Sequence, residues 1–197
     1  KVTSLTLFRK QITDLKPLSE LKGLKYLYLS DNKIADLASL AELTGLEQLH
    51  LYKNQVKDPT PLSGLKDLKN LNLSGNQITD LTALANLHDL TKLYLWNNQI
   101  TDLAPLAELP QLDRLNLREN LVTDLWPLCD LKSLTRLELP CNYVSDLMPL
   151  EKLTALETLI APDNQIFDLT PLAGLTELRT LQLEGNQIED LSPLENL

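Results

Sequence analysis

The sequence predicts an α/β solenoid in which about nine repeats stack their strands into one curved parallel sheet, with a short helical turn opposite each strand. The first reason is a period of 22 residues that runs along the chain without insertion or deletion. The second is a Leu-x-Leu segment in each period, and the third is an Asp-Leu-x-Pro-Leu segment that follows it in most periods. Residues 1–197 are therefore predicted to form a single repeat domain.

The Leu-x-Leu segment is predicted to be a short strand, because side chains alternate between the two faces of a strand. Both leucines then point into the core, and the residues beside them point outward. In the second repeat these leucines are Leu27 and Leu29. One such strand cannot bury its leucine face alone, so neighbouring repeats are expected to stack over a continuous leucine core.

Three further columns recur with the period, and we interpret them as structural. The asparagine is expected to bond loop backbone groups from inside, the aspartate to cap the helical turn, and the proline to lie in its first residues, where an N–H is not needed. The asparagines are Asn32, Asn54, Asn76, Asn98, Asn120, Asn142, Asn164 and Asn186, with Lys10 in the first repeat. The aspartates are Asp14, Asp36, Asp58, Asp80, Asp102, Asp124, Asp146, Asp168 and Asp190. The prolines are Pro17, Pro61, Pro105, Pro127, Pro149, Pro171 and Pro193.

The formal charge of −9 comes from the aspartate column. Without its nine members the chain would hold 18 acidic residues against 18 Lys and Arg. The acidity therefore reflects one repeated structural position and says little about partners, although nucleic acid is not expected as one.

The frame L-x-x-L-x-x-L-x-L-x-x-N-x-I-x-D-L-x-P-L resembles the leucine-rich-repeat family over residues 1–197, and its return segment is similar to the bacterial internalin type. The resemblance implies a right-handed solenoid with its parallel sheet on the concave face and short 3-10 turns on the convex face. It also implies a receptor-binding protein, secreted or on the bacterial surface if internalin-like and cytoplasmic otherwise. The family's helical N-terminal cap and immunoglobulin-like C-terminal cap are not found in this sequence.

A few positions depart from the frame. Pro59 replaces the leucine after Asp58, Ala161 replaces a strand leucine, and Ser39 and Ala83 replace the proline. A looser core is expected at repeats three and eight, by roughly 2–5 kcal/mol if Ala161 leaves a leucine-sized hole.

Because the caps are missing, we expect apolar side chains at both ends of the solenoid to be partly exposed to solvent. Such ends indicate either flanking domains or end-to-end self-association of the chain. The side chains concerned are Val2, Leu5, Leu7, Leu191, Leu194 and Leu197.

Function is expected at the outward strand positions, which the core leaves free to vary. They form three columns across the concave face, one residue per repeat. The first column is Ser4, Tyr26, Gln48, Asn70, Lys92, Arg114, Arg136, Thr158 and Thr180. The middle column is Thr6, Tyr28, His50, Asn72, Tyr94, Asn116, Glu138, Ile160 and Gln182. The third column is Phe8, Ser30, Tyr52, Ser74, Trp96, Arg118, Pro140, Pro162 and Glu184.

Aromatic side chains are concentrated in these columns. The columns hold 27 of the 197 residues but six of the nine aromatic ones. A preference of aromatic residues for strands explains part of this excess. Exposed Tyr and Trp beside Arg also carry binding energy at protein interfaces, so we predict a protein-binding surface. The predicted binding residues are Tyr26, Tyr28, His50, Tyr52, Lys92, Tyr94, Trp96, Arg114, Arg118, Arg136 and Glu138.

Basic residues follow one another in the first column, where Lys92, Arg114 and Arg136 are expected to lie about 4.8 Å apart. One interpretation is a solvated charged face with its own salt bridges. The other is an energetic centre around Tyr94, Trp96, Arg114 and Arg118 that recognises a protein with an acidic or aromatic-accepting patch. In the second interpretation Trp96 and Arg118 form a cation–π pair worth about 0.5–2 kcal/mol.

Enzymatic chemistry is not predicted. The chain has no phosphate-binding loop, dinucleotide fingerprint, zinc-protease helix or nucleophile elbow. His50 and His88 stand 38 residues apart, and Cys129 and Cys141 occupy different repeat positions, so no metal site, cofactor or disulfide is expected. No apolar run approaches the roughly 20 residues of a membrane span.

Two alternatives to a natural protein-binding module stay open. The chain could be a regulatory segment of a larger enzyme, since similar repeats precede the GTPase domain of Roco proteins. It could also be an engineered repeat scaffold for binding, which the gapless period and the missing caps favour. Irregular choices such as Trp126, Cys129 and Phe167 argue against a designed sequence.

Overall fold

A computed structural model describes residues 2–195 and Leu197. It contains a nine-stranded parallel sheet whose strands follow one another in chain order. The strands are β1 (Ser4–Thr6), β2 (Tyr26–Tyr28), β3 (Gln48–His50), β4 (Asn70–Asn72), β5 (Lys92–Tyr94), β6 (Arg114–Asn116), β7 (Arg136–Glu138), β8 (Thr158–Ile160) and β9 (Thr180–Gln182). The sheet confirms the predicted leucine-rich-repeat architecture.

Equal repeat lengths keep all strands in one register. Leu27 lies opposite Leu49, and Leu49 opposite Leu71, as do the equivalent leucines of the other repeats. In β2 to β8 this central leucine is buried, while the residues on either side of it stay partly or largely exposed. Each outward column therefore runs straight across the concave face.

A short 3-10 helix stands in the second half of each repeat, where the Asp-Leu-x-Pro-Leu segment predicts it. The helices are Lys16–Leu18, Ala38–Leu40, Thr60–Leu62, Thr82–Leu84, Ala104–Glu108, Trp126–Leu128, Met148–Leu150, Thr170–Leu172 and Ser192–Leu194. In each repeat the aspartate two residues ahead accepts the first helical N–H at 2.8 Å, which confirms the predicted cap.

The buried asparagines form the predicted ladder. Asn54 accepts the N–H of Ile34 through Oδ1 at 3.0 Å, and its Nδ2 donates to the carbonyl oxygens of Leu29 and Leu51. The other asparagines of the column repeat these bonds, so each one joins its own turn to the preceding repeat. Buried backbone groups that would otherwise lack partners are satisfied in this way.

The residue before each asparagine, and before Lys10 in the first repeat, lies three residues after the end of its strand and has a positive φ. Glycine fills this position only at Gly75 and Gly185. In the other repeats an ordinary side chain adopts the left-handed conformation at a cost of about 1 kcal/mol. These residues are Arg9, Asp31, Lys53, Asn97, Glu119, Cys141 and Asp163.

The departures from the frame are absorbed without a break in the fold. Ala161 is fully buried in the strand row. The carbonyl oxygen of Pro59 accepts the N–H of Leu62 at 2.9 Å, as Leu81 does for Leu84 in the next repeat. A looser core at repeats three and eight stays a prediction. The terminal leucines and Val2 are exposed or partly exposed, as expected.

Candidate functional site

The concave face divides along the solenoid into an aromatic half on β2 to β5 and a charged half on β5 to β7. Tyr26 begins β2, beside Gln48 of the first column. Tyr94 ends β5, between Asn72 and Asn116 of the middle column. All the predicted site residues thus lie on one continuous surface.

Four rings, here called the aromatic cluster, pair in the aromatic half: Tyr28 with His50, and Tyr52 with Trp96. The Tyr28 and His50 rings meet edge to face with centroids 4.9 Å apart, and the Tyr28 hydroxyl donates to Gln48 Oε1 at 3.0 Å. The Tyr52 and Trp96 rings have centroids 5.3 Å apart. All four side chains remain partly exposed, so the cluster is ordered by its own contacts and open to solvent.

Trp96 and Tyr52 do not stand on neighbouring strands. Tyr52 follows β3 and Trp96 follows β5, so the strand between them is β4. Ser74, the member of the same column that follows β4, is fully buried. A side chain on Gly75 would begin 3.4 Å from Tyr52 Cε2, so glycine leaves room there for the ring.

Three polar atoms near the aromatic cluster are buried without a hydrogen-bond partner in the described part of the chain: His50 Nε2, Asn70 Oδ1 and Ser74 Oγ. Such atoms are rare in folded proteins because each costs about 1–3 kcal/mol. Burial lowers the pKa of His50, and the nearby Asn70 side chain opposes this in part. His50 is therefore neutral at physiological pH.

Most of the predicted basic residues are neutralised by the chain itself. Arg114 pairs with Asp113 at 3.4 Å, and Arg118 pairs with Glu119 at 3.0 Å. Arg136 forms an ion pair with Glu138, which lies two residues further along the same strand. These contacts agree with the first of the two interpretations of the basic column, a charged face with its own salt bridges.

Glu138 also joins two neighbouring strands, because it accepts a hydrogen bond from Asn116 Nδ2 at 2.6 Å. Lys92 makes no ion pair with any described residue.

The predicted cation–π pair of Trp96 with Arg118 is corrected by the structure. Among the described residues, the cation–π contacts are Arg9 over Phe8 and Lys53 over Tyr52. The Trp96 ring packs at a tilt against Tyr52, and the guanidinium of Arg118 donates a hydrogen bond to the carboxylate of Glu119. Trp96 and Arg118 still share a shallow groove of about 280 Å³ with Asn116 and Glu138.

Sequence reasoning missed Asn70, Ser74 and Asn116 as members of this site. They stand in the same columns as the aromatic and basic residues, and only their side-chain contacts set them apart. For Ser74 the available signal was a small residue between the aromatic positions Tyr52 and Trp96 of the third column; Asn70 and Asn116 have no such pair of aromatic neighbours in their columns.

Ligand chemistry of other kinds finds little support. The described residues include no group of three or more His, Cys, Asp or Glu that could hold a metal ion. Cys129 and Cys141 are both free thiols. Over the same residues, every helix is too short or too polar to cross a membrane.

Comparisons with known proteins identify the repeat. A family model for leucine-rich repeats in two copies matches residues 1–42, 44–86, 88–128 and 154–196. A search of curated proteins found no significant match.

Solved structures of Listeria monocytogenes internalins are similar in sequence and fold. An internalin (inlF) is 36% identical with a TM-score of 0.86, over 95% of this chain and 62% of its own. An internalin C2 (inlC2) is 37% identical with a TM-score of 0.84, over 99% of this chain and 76% of its own. The present chain therefore spans less than two thirds of the inlF chain.

A plant protein shares the fold at lower identity. The leucine-rich-repeat ectodomain of the Arabidopsis thaliana receptor kinase GASSHO1/SCHENGEN3 is 25% identical with a TM-score of 0.85. The match covers all of this chain and 26% of the receptor chain.

Proposed function

Since the chain belongs to the leucine-rich-repeat family and is similar to the internalins, we propose that it is a non-catalytic module that binds a protein on its concave face. The observation that carries the proposal is the aromatic cluster, which is partly exposed and has buried polar atoms without described partners in it and near it. Fold alone does not establish function, so the argument depends on this site.

The aromatic cluster is already ordered for contact. Tyr52 and Trp96 hold each other in place, and the Tyr28 hydroxyl is tied to Gln48. Rings that are fixed before binding lose little conformational entropy when a partner covers them. Large, rigid aromatic side chains of this kind carry most of the binding energy in many interfaces.

Buried polar atoms in and near the aromatic cluster add a second source of affinity. His50 Nε2, Asn70 Oδ1 and Ser74 Oγ have no hydrogen-bond partner among the described residues. A partner that shifts a ring and bonds one of them recovers free energy that the free chain lacks. This favours a partner that brings hydrogen-bonding groups together with apolar surface.

Charge has a smaller role. Arg114, Arg118 and Arg136 already face carboxylates of this chain, and an acidic partner has to compete with those contacts. Lys92 is the predicted basic residue that forms no ion pair among the described residues, so its charge is available to an acidic group of a partner. We therefore place the centre of recognition on Trp96 and Tyr94, with an acidic contact at Lys92.

A related fold supports binding as the function. The plant receptor ectodomain was solved in complex with CASPARIAN STRIP INTEGRITY FACTOR 2. A concave sheet of this fold also presents a long row of outward side chains, which suits an extended partner surface.

The test is partner capture with the wild-type chain beside a variant that carries Tyr94→Ala, Trp96→Ala and Arg118→Ala. A protein retained only by the wild type is then purified for titration. Trp96→Ala or Arg118→Glu is expected to weaken its binding by more than ~1 kcal/mol without unfolding the chain. Trp126→Thr, which removes an exposed Trp from the convex face, is the matched control. Equal binding by Trp96→Ala, Arg118→Glu and wild type would refute a concave site.

A further inference from the structure

Large apolar side chains are exposed at five positions of the interior repeats, and all five lie in repeats six to eight. Between 43% and 61% of each side chain is open to solvent. They are Leu121, Trp126, Tyr143, Met148 and Phe167. None belongs to the concave columns, and three of them are the aromatic residues that those columns do not contain.

The fold does not require apolar residues at these positions. Trp126 and Met148 begin 3-10 helices, where the other repeats have Lys, Ala, Thr or Ser. Leu121 and Tyr143 follow the ladder asparagine, where the other repeats have Gln or Lys. Since these repeats fold with polar or small residues there, core packing does not account for the exposed side chains.

Two of these side chains, Trp126 and Met148, share one groove across neighbouring repeats. Trp126 and Met148 line one groove of about 160 Å³ on the convex face, together with Cys129 and Pro149. The N–H of Tyr143 donates to the carbonyl oxygen of Val122 at 2.9 Å, which holds Tyr143 beside the Leu121 segment. We call the residues that line this groove the convex patch. Exposed apolar side chains that share one groove indicate an interaction site.

Acidic side chains surround the groove. Asp130 and Glu151 line it with a single base, Lys152. Asp124 and Asp146 stand two residues before Trp126 and Met148. Within the described residues these four carboxylates take part in no ion pair.

The charged half of the concave face differs, because its arginines pair with carboxylates of this chain. The convex patch thus combines the exposed side chains of Trp126 and Met148 with carboxylates that outnumber its one lysine and form no ion pair among the described residues.

We propose that the convex patch is a second docking surface, which takes a protein segment with an apolar side chain flanked by Lys or Arg. The apolar side chain lies between Trp126 and Met148, and the basic groups face the carboxylates of Asp130 and Glu151. Charge complementarity favours this occupant over a second copy of the chain, because a copy carries a formal charge of −9 and the same acidic groove.

The experiment is selection from a phage-displayed random peptide library on the immobilised wild-type chain, followed by titration of the enriched synthetic peptides. Trp126→Thr with Met148→Thr is the test variant. Threonine begins the helix in three other repeats, at Thr60, Thr82 and Thr170, so the variant is expected to keep its circular dichroism and urea midpoint. Trp96→Ala is the control for binding at the concave face.

Support requires peptides with an apolar residue next to Lys or Arg that bind the double Thr variant at least about tenfold more weakly. Asp130→Asn with Glu151→Gln should also weaken them and reduce the salt dependence, whereas Trp96→Ala should leave their affinity unchanged. Enriched peptides without basic residues, or equal binding by the double Thr variant, would overturn the proposal. Sedimentation that shows wild-type dimers lost in that variant would overturn it too, since a second copy would then be the occupant.

Discussion

The rings of Tyr52 and Trp96 pack against each other with centroids 5.3 Å apart and planes tilted by 37°, although β4 lies between the strands they follow. Ser74, the β4 member of the same column, is fully buried, and its Oγ has no partner among the described residues. The two rings therefore close over one position of the sheet, and several measurable properties of the concave face follow from this contact.

The first prediction concerns the ring pair itself. Tyr52→Ala should expose one face of the Trp96 indole and uncover Ser74, because Tyr52 supplies the contact that shields them. The emission maximum of Trp96 should therefore shift to longer wavelength. The measurement uses a Trp126→Thr background, in which Trp96 is the remaining tryptophan. An unchanged emission maximum would show that the stacked pair does not form in solution.

The second prediction concerns the buried hydroxyl. Ser74→Ala should raise the free energy of unfolding by about 1 kcal/mol, because it removes a buried polar group without a partner and keeps the Cβ. Urea denaturation measures the change. Ser30→Ala, at a partly exposed position of the same column, serves as the control and should have little effect. A loss of stability in Ser74→Ala would mean that Oγ has a bonding partner in solution.

The third prediction concerns the asparagine ladder. Asn120→Ala should lower the free energy of unfolding by about 2–4 kcal/mol, because it leaves the Ile100 N–H and the carbonyl oxygens of Leu95 and Leu117 without their hydrogen-bond partner. Asn186→Ala removes the same bonds at a partly exposed repeat, where water can replace them, and should cost less. Equal losses in both variants would argue that burial of the ladder does not matter.

The fourth prediction concerns pH. Burial lowers the pKa of His50 from its ordinary 6.5, so the unfolded chain binds more protons than the folded chain between the two pKa values. The contribution of His50 to stability is thus complete above 6.5 and is lost as pH falls toward the folded-state pKa. Urea midpoints from about pH 8 to about pH 5 should show this decline, and His50→Gln should reduce it.

Four capping carboxylates contribute to stability at lower pH. The hydroxyl and N–H of Thr82 hold the pKa of Asp80 below its ordinary 3.8, and Asp58, Asp168 and Asp190 behave alike. Their contribution is present above 3.8 and is lost only in stronger acid. A decline of equal size in His50→Gln would assign the effect to a different residue.

Much of the architecture could be predicted because repeats of constant length follow one another along the chain. A period of 22 residues without gaps places Leu27, Leu49 and Leu71 in one row before any coordinates are known. The same period assigns the asparagine ladder and the aspartate caps, whose partners are backbone atoms at constant offsets. The left-handed backbone conformation of the residue before each asparagine was not predicted, because only Gly75 and Gly185 indicate it in the sequence.

The sequence by itself determined which side chains share the concave face, because backbone hydrogen bonds repeat with the chain period. Only the tertiary structure decided what those side chains contact. The sequence offered both Trp96 and Glu119 as partners of Arg118, and in the structure Arg118 forms an ion pair with the Glu119 carboxylate. Such contacts differ by only about 1 kcal/mol, so side chains from two or three neighbouring repeats compete and a column pattern cannot rank them. The pairing of Tyr52 with Trp96 across β4 is a second contact that a column pattern does not reveal, and so is the buried Ser74 hydroxyl, which has no partner among the described residues.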